Sequence, residues 1–256
     1  MPSADVTGLV FDWNGELKSC PDVAINDETL RDGLQAPSVR EPPGHLKQRL
    51  IHLMPALGID AATLGFPAAG PRMLAQCRLL AREVATARLP LALNCAARTL
   101  ESDLRPIVEL ANGTGLTIEA GAFIRASAVG QTVGRQRLDQ MLAAVEQAVG
   151  FGVRNGLAVM FVAEDGSRAH PDTLAALCRA AVRAGARRLC VADTTGFATP
   201  AGTARLVRFI RERVIAPSGA AIALDWHGHR DRGLAVANCL AAAAAGVDRV
   251  HATALG

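Results

Sequence analysis

From residue 23 onward the chain alternates short apolar runs with longer stretches whose apolar positions recur at helical spacing. The runs are Val23–Asn26, Ile59–Phe66, Leu89–Cys95, Leu116–Phe123, Leu157–Ala163, Arg188–Ala192, Ala221–Trp226 and Arg249–Ala254. Several are continuously apolar, as strands of a parallel sheet covered on both faces must be. Between them, helices are predicted near 44–57, 71–87, 100–113, 135–151, 171–184, 200–214 and 231–245. Their starts carry Pro71, Glu101-Ser102-Asp103, Pro171-Asp172 and Thr199-Pro200, and several end at glycines such as Gly58, Gly113 and Gly185. Proline suits a first helical turn because its missing N–H would be unbonded there, and glycine suits the left-handed residue that closes a helix.

Strict alternation of eight strands with seven helices predicts an α/β fold, and eight strands favour a (β/α)8 TIM barrel, with its eighth helix missing from this chain. No Gly-x-Gly-x-x-Gly turn follows the first strand, which weakens the dinucleotide-binding alternative. The expected organisation is an N-terminal segment, 1–22, with an apolar patch Leu9-Val10-Phe11 and a turn at Asn14-Gly15, and a catalytic barrel domain, 23–256. The chain stops at Gly256, just after strand eight. The outer surface of strands one and eight is therefore expected to be covered by the N-terminal segment, another chain or further residues.

Composition narrows the class. The 27 basic and 24 acidic residues give a mild net charge of +3 with no Lys/Arg run, which argues against nucleic-acid binding and suits a small anionic substrate. The six cysteines form no Cys-x-x-Cys pair, so buried reduced thiols are expected rather than a disulfide framework or structural zinc site. No apolar stretch reaches the roughly 18 residues a membrane span needs, and the N-terminus carries no signal-peptide pattern. A cytoplasmic enzyme-sized domain is expected.

In a barrel the chemistry collects at the C-terminal strand ends. Those ends supply Arg31 and Asp32 from strand one, Asn94 from strand three, Glu164 and Asp165 from strand five, Asp193 and Thr194 from strand six, and His227-Gly228-His229 from strand seven. On an extended backbone residues i and i+2 point the same way, so the two imidazoles converge. With a carboxylate from another strand end, for which Asp32 is the candidate, they offer a divalent cation three ligands and leave positions open. A surface His pair is the alternative for the His-x-His alone.

Asp27-x-Thr29-Leu30-Arg31-Asp32-Gly33-x-Gln35, together with His227-x-His229-x-Asp231-x-Gly233-Leu234-Ala235-x-Ala237-Asn238, resembles the DRE-TIM metallolyase superfamily. Within it the chain is most similar to the isopropylmalate, homocitrate and citramalate synthase group, with further matches at Gly65-Phe66-Pro67, Glu164-Asp165 and Asp193-Thr194-x-Gly196. The resemblance implies an acyltransferase of amino-acid biosynthesis. Its reaction would be a metal-dependent Claisen-type condensation of an acyl-CoA, usually acetyl-CoA, with a 2-oxo acid, giving a 2-hydroxy-dicarboxylate and CoA. It implies Mg, Mn or Zn held by Asp32, His227 and His229, with Arg31 stabilising negative charge on the reacting oxygen and Glu164 a candidate for proton transfer. Thr194 would bind the oxo-acid carboxylate, Gln35 and Asn94 would line the substrate site, and a homodimer is expected.

The chain departs from that group at Thr63, where the synthases carry Glu, at Leu255, where they carry an Asn beside the metal, and at Arg230 and Arg232. Two other activities stay open: carbon–carbon cleavage of the hydroxymethylglutaryl-CoA lyase kind, and a non-catalytic barrel that binds metal and oxo acid. His45 and His52 are expected to be solvated and His170 to start a helix. His251 shares the parity of Leu255 and is expected in the core.

Overall fold

The structure, a computed structural model, describes residues 22–128 and 137–254. The expectations for the N-terminal segment up to residue 21 and for Leu255 lie outside the described residues. Strands β1 (Ala24–Asp27), β2 (Ala61–Thr63), β3 (Ala92–Arg98), β4 (Ile118–Arg125), β5 (Ala158–Glu164), β6 (Arg188–Asp193), β7 (Ala223–Gly228) and β8 (Arg249–Ala252) pair in parallel and close in sequence order. Closure is made where β1 meets β8, with Ile25 opposite Val250 and Asp27 opposite Ala252. Each predicted run contributes its strand.

The described helices are α1 (Gly44–Ala56), α2 (Pro71–Ala87), α3 (Glu101–Thr114), α4 (Leu138–Arg154), α5 (Pro171–Arg183), α6 (Pro200–Ile210) and α7 (Ala235–Ala244). Proline opens α2, α5 and α6. Thr199 caps α6 by accepting from Gly202 N, and His170 caps α5 by accepting from Asp172 N, the helix-start role expected of it. The helices lay their apolar faces on the outward sides of the strands, burying Ile51, Leu80, Leu104, Val145, Leu177 and Ile210 against residues such as Leu93, Phe161 and Leu224. His45 and His52 are exposed, and four of the five described cysteines are buried and free, as expected.

The barrel interior is polar where the site lies. In β7 the outward positions Leu224 and Trp226 are buried under helices, while the inward positions are Asp225 and His227. In β8 the inward positions are Arg249 and His251. At the floor, Arg249 donates to Glu119 Oε2 at 2.7 Å and to Asp225 Oδ2 at 2.7 Å. Arg188 bridges the same two carboxylates at 3.1 and 2.6 Å. Two buried charges, Asp225 and Arg249, and two half-buried ones, Glu119 and Arg188, satisfy one another in this way and fix the register of β4, β6, β7 and β8, because a slip would strand one of them unpaired.

Candidate metal centre at the barrel mouth

β1 ends in a turn in which the backbone N–H groups of Arg31, Asp32 and Gly33 all donate to Glu28 O. Asp27 holds that turn from outside, its carboxylate accepting from Thr29 N at 2.8 Å and Thr29 Oγ1 at 3.1 Å. The turn sends Asp32 toward the end of β7. Gly228 separates His227 from His229, and a Cβ there would lie 2.9 Å from Trp226 Nε1, so the position has no room for a side chain. Across the mouth Gly196, at φ +59°, lies where a Cβ would come within 3.1 Å of His229 O and Asp231 N. A glycine there lets the β6 loop pack on the backbone that carries His229, whose N–H donates to Asp193 O at 3.3 Å.

The result is a triangle of ligand atoms. His227 Nε2 lies 3.2 Å from His229 Nε2 and 3.5 Å from Asp32 Oδ2, and His229 Nε2 lies 3.6 Å from Asp32 Oδ2. Ligands about 2.0–2.2 Å from one ion stand about this far apart, and two imidazoles with one carboxylate suit a divalent cation with open positions. The residues present therefore fit the metal that the sequence implies.

The electrostatics support the same use. Burial pushes the His227 imidazole down from its ordinary value, which favours the neutral ring a metal needs. For Asp32 burial opposes ionisation, but the hydrogen bond with His227 and the charge of Arg31 outweigh it and hold the carboxyl at about 2. Arg31 is itself held by Glu28, Nε to Oε2 at 2.9 Å, and by Asp32, Nη1 to Oδ1 at 3.2 Å.

Beneath the triangle lies a second cluster. His251 sits between two carboxylates, Nε2 to Asp225 Oδ2 at 3.0 Å and Nδ1 to Glu28 Oε1 at 3.0 Å, and its Nδ1 lies 3.2 Å from His227 Nδ1. Burial alone would lower the pKa of His251, but the two carboxylates raise it. Burial likewise opposes ionisation of Glu28, yet Arg31 and His251 hold its carboxyl well below the ordinary range. Glu28, His251 and Asp225 were not singled out as site residues. The signal for them was inward parity: Asp225 is one step below His227 on β7, His251 alternates with Arg249 on β8, and Glu28 follows Asn26 just past the end of β1.

The predicted site residues fall into two groups. Arg31, Asp32, His227 and His229 meet, and Gln35 lines the same cavity of about 920 Å³. Glu164, Thr194 and Asn94 have other partners. Glu164, at the end of β5, accepts from Arg125 at 2.7 Å, and Thr194 Oγ1 accepts from Asp165 N at 2.8 Å. Asn94 is 2% exposed, in a ring with Thr63 and Asn26: Thr63 Oγ1 donates to its Oδ1 at 2.5 Å, and its Nδ2 donates to Asn26 Oδ1 at 2.7 Å. The cavity runs from the triangle onto the outer side of β8, past Val23, Val250, Ala252, Val236 and Leu240, along the strip of strands one and eight that no helix among the described residues covers.

A closed parallel barrel with two histidines and a carboxylate at its C-terminal mouth defines a (β/α)8 scaffold with a candidate divalent-cation site. The chain belongs to the HMGL-like family, whose model matches residues 22–256. It is 35% identical over 235 residues to a 2-isopropylmalate synthase from Solidesulfovibrio magneticus, covering 91% of this chain and 44% of that protein. It is 32% identical over 235 residues to a homocitrate synthase from Methanopyrus kandleri, covering 92% of this chain and 55% of that protein. Among solved structures, an HMG-CoA lyase from Brucella melitensis shares the fold with a TM-score of 0.71 at 20% identity, over 91% of this chain and 81% of that one. The chain spans about half the length of the curated relatives it matches.

Proposed function

We propose that this protein condenses an acyl-CoA, acetyl-CoA first among them, with a 2-oxo acid in a Claisen-type reaction of amino-acid biosynthesis. The observation that carries the reading is the convergence of Asp32, His227 and His229 into one ligand triangle. Those three residues would hold a divalent cation (Mg, Mn or Zn), which when bound supplies Lewis-acid polarisation of the oxo-acid carbonyl.

The chain's own groups do the rest. Arg31 is charged and partly desolvated at the triangle's edge, and it stabilises the negative charge that develops on the carbonyl oxygen as the new carbon–carbon bond forms. The Thr194 hydroxyl already accepts from Asp165 N, which leaves its O–H to donate to the substrate carboxylate. Glu164 takes the proton lost from the acyl methyl carbon, and its pairing with Arg125 fixes the carboxylate at the mouth. Gln35 contributes its amide to the cavity wall. Asn94 acts from below: its ring with Thr63 and Asn26 sets the height of Glu28. Water then hydrolyses the thioester and releases CoA.

The division into an N-terminal segment and a barrel from residue 23 belongs to this reading, as does a cytoplasmic location. Among the described residues no helix is long and apolar enough to cross a membrane. A homodimer formed over α7 is also proposed, supported by the exposure of Val236 and Leu240 on that helix.

A panel of 2-oxo acids with acetyl-CoA, followed by a thiol reagent, tests the activity. We expect free CoA with at least one acid, only when a divalent cation is present, and none from H229A. No release with any acid would overturn the reading, and cleavage of a hydroxyacyl-CoA would replace it with a lyase.

A further inference from the structure

We propose that His251 is a positioning residue for the metal centre: clamped between Asp225 and Glu28, it orients the His227 ring so that Nε2 faces Asp32 and His229. This rests on the metal reading of the triangle above and goes beyond it, by assigning the buried layer beneath the ligands a role in building the site.

The argument begins with the two nitrogens of one ring. His227 Nε2 lies in the ligand triangle, 3.5 Å from Asp32 Oδ2. A neutral imidazole that offers a lone pair at Nε2 carries its hydrogen at Nδ1, so whatever faces Nδ1 decides which nitrogen is left for a cation. The carboxylate on that side is Glu28, whose Oε1 lies 3.9 Å from Nδ1 and is held in place by His251 Nδ1 at 3.0 Å, while the His251 ring itself stands 3.2 Å from His227 Nδ1 and limits where that ring can turn. Neither group is free to move away. Glu28 also accepts from Arg31 Nε at 2.9 Å and Asn26 Nδ2 at 3.1 Å. His251 is fixed at its far nitrogen by Asp225, which Arg249 and Arg188 hold in turn at 2.7 and 2.6 Å.

The packing agrees with the hydrogen bonds. The His227 and His251 rings meet edge to face, with centroids 5.2 Å apart and planes at 80°. Rotating the His227 ring would swing its nitrogens away from both sets of partners. Glu28, His227 and His251 are all buried, so a lost partner is not replaced by bulk water. A ligand histidine held at its second nitrogen is a general device, and removal of such a support weakens metal binding about 10- to 100-fold.

The two ends of His251 can be tested apart. Asn at position 251 keeps a polar group where Nδ1 faces His227, whereas Gln reaches toward Asp225 and leaves the His227 side empty. Mn(II) affinity by calorimetry, with the Co(II) absorption spectrum as a reporter of ligand geometry, is measured on the whole chain, and circular dichroism and Tm control for folding. We expect H251Q to bind Mn(II) about 10- to 100-fold more weakly with an altered Co(II) spectrum, and H251N to retain most of the affinity.

E28Q leaves His251 in place and removes the carboxylate charge beside it, which also pairs with Arg31. It serves as a second variant should H251Q fail to fold, and it is expected to weaken Mn(II) binding as well. Wild-type affinity and an unchanged Co(II) spectrum in H251Q overturn the inference, as does a stoichiometry of two ions per chain, which would make the lower cluster a ligand set in its own right. H229A separates this failure from the larger one. If the wild type binds one ion, H229A loses it and H251Q does not, only the inference falls. If the wild type binds none, the metal reading falls and the inference with it.

Discussion

Gly228 shows how narrowly the site is specified at the scale of one residue. It lies between the two histidines, and its hydrogen occupies space that a methyl could take only by displacing the fully buried Trp226 indole. Overpacking of this kind costs about 1–3 kcal/mol. G228A is therefore expected to lower Tm and to weaken Mn(II) binding together, because the displaced segment is the one that holds His227 and His229. An unchanged Tm would show that the indole can yield. The same scale separates Asp27 from Glu28: neighbours in sequence, one pins the outside of the turn and the other faces inward onto His251.

At the scale of elements, small polar groups tie strands together. Thr63 joins β2 to β1 and β3 by accepting from Asn26 Nδ2 at 3.1 Å and donating to Asn94 Oδ1. T63V preserves shape and strands both partners, at a cost of about 1–3 kcal/mol. The measurable outcome is a lower urea midpoint with an unchanged m-value. Asp165 does similar work above β5. Its carboxylate accepts from Ser127 Oγ at 2.5 Å and from Arg168 Nη2 at 2.6 Å.

Burial works against ionisation of Asp165, but those hydrogen bonds outweigh it and lower its pKa. A carboxyl depressed in the native state adds stability that is whole above its unfolded value, about 3.9, and is lost as pH falls through the native value. Asn tolerates the left-handed φ of 56° found at Asp165, so D165N removes the charge without backbone strain. We expect D165N to be less stable than wild type at pH 7, with the difference shrinking as pH falls below about 4. A difference that stays constant with pH would place the effect in packing rather than charge.

For the whole molecule, the cavity that reaches the triangle of Asp32, His227 and His229 continues onto the outer side of β8, between β1 and α7. Val236 and Leu240, one turn apart on α7, are 75% and 57% exposed along it. Sedimentation of the wild type is expected to give a dimer, and L240E to give a monomer whose Tm is little changed, since that side chain leaves the barrel core untouched. A monomeric wild type would remove the dimer from the proposal.

Much of this molecule was legible along the chain. Continuous apolar runs and period-3.6 patterns located all eight strands and the seven longer helices of the described barrel, because burial on both faces of a parallel sheet leaves continuous apolar runs. The His-x-His spacing and the Arg31-Asp32 strand end pointed to the three side chains that converge at the mouth, His227 and His229 through the alternation of a strand, which is a local property. What the sequence could not decide is which polar side chains from different strands touch. Glu28 and His251 are 223 positions apart and lie on neighbouring strands only because β8 closes against β1. Thr194 and Glu164 sit at the strand ends where the pattern put them, whereas Asn94 lies in the first half of β3, which runs on to Arg98; the partners of all three, the Asp165 backbone, Arg125 and Thr63, were set by the stagger of the closed sheet. The sequence determined the barrel and the candidate ligand residues through local periodicity and strand-end motifs. Which of those residues converge at the mouth, and what supports them from below, was decided by closure, since only closure turns inward-facing positions into neighbours.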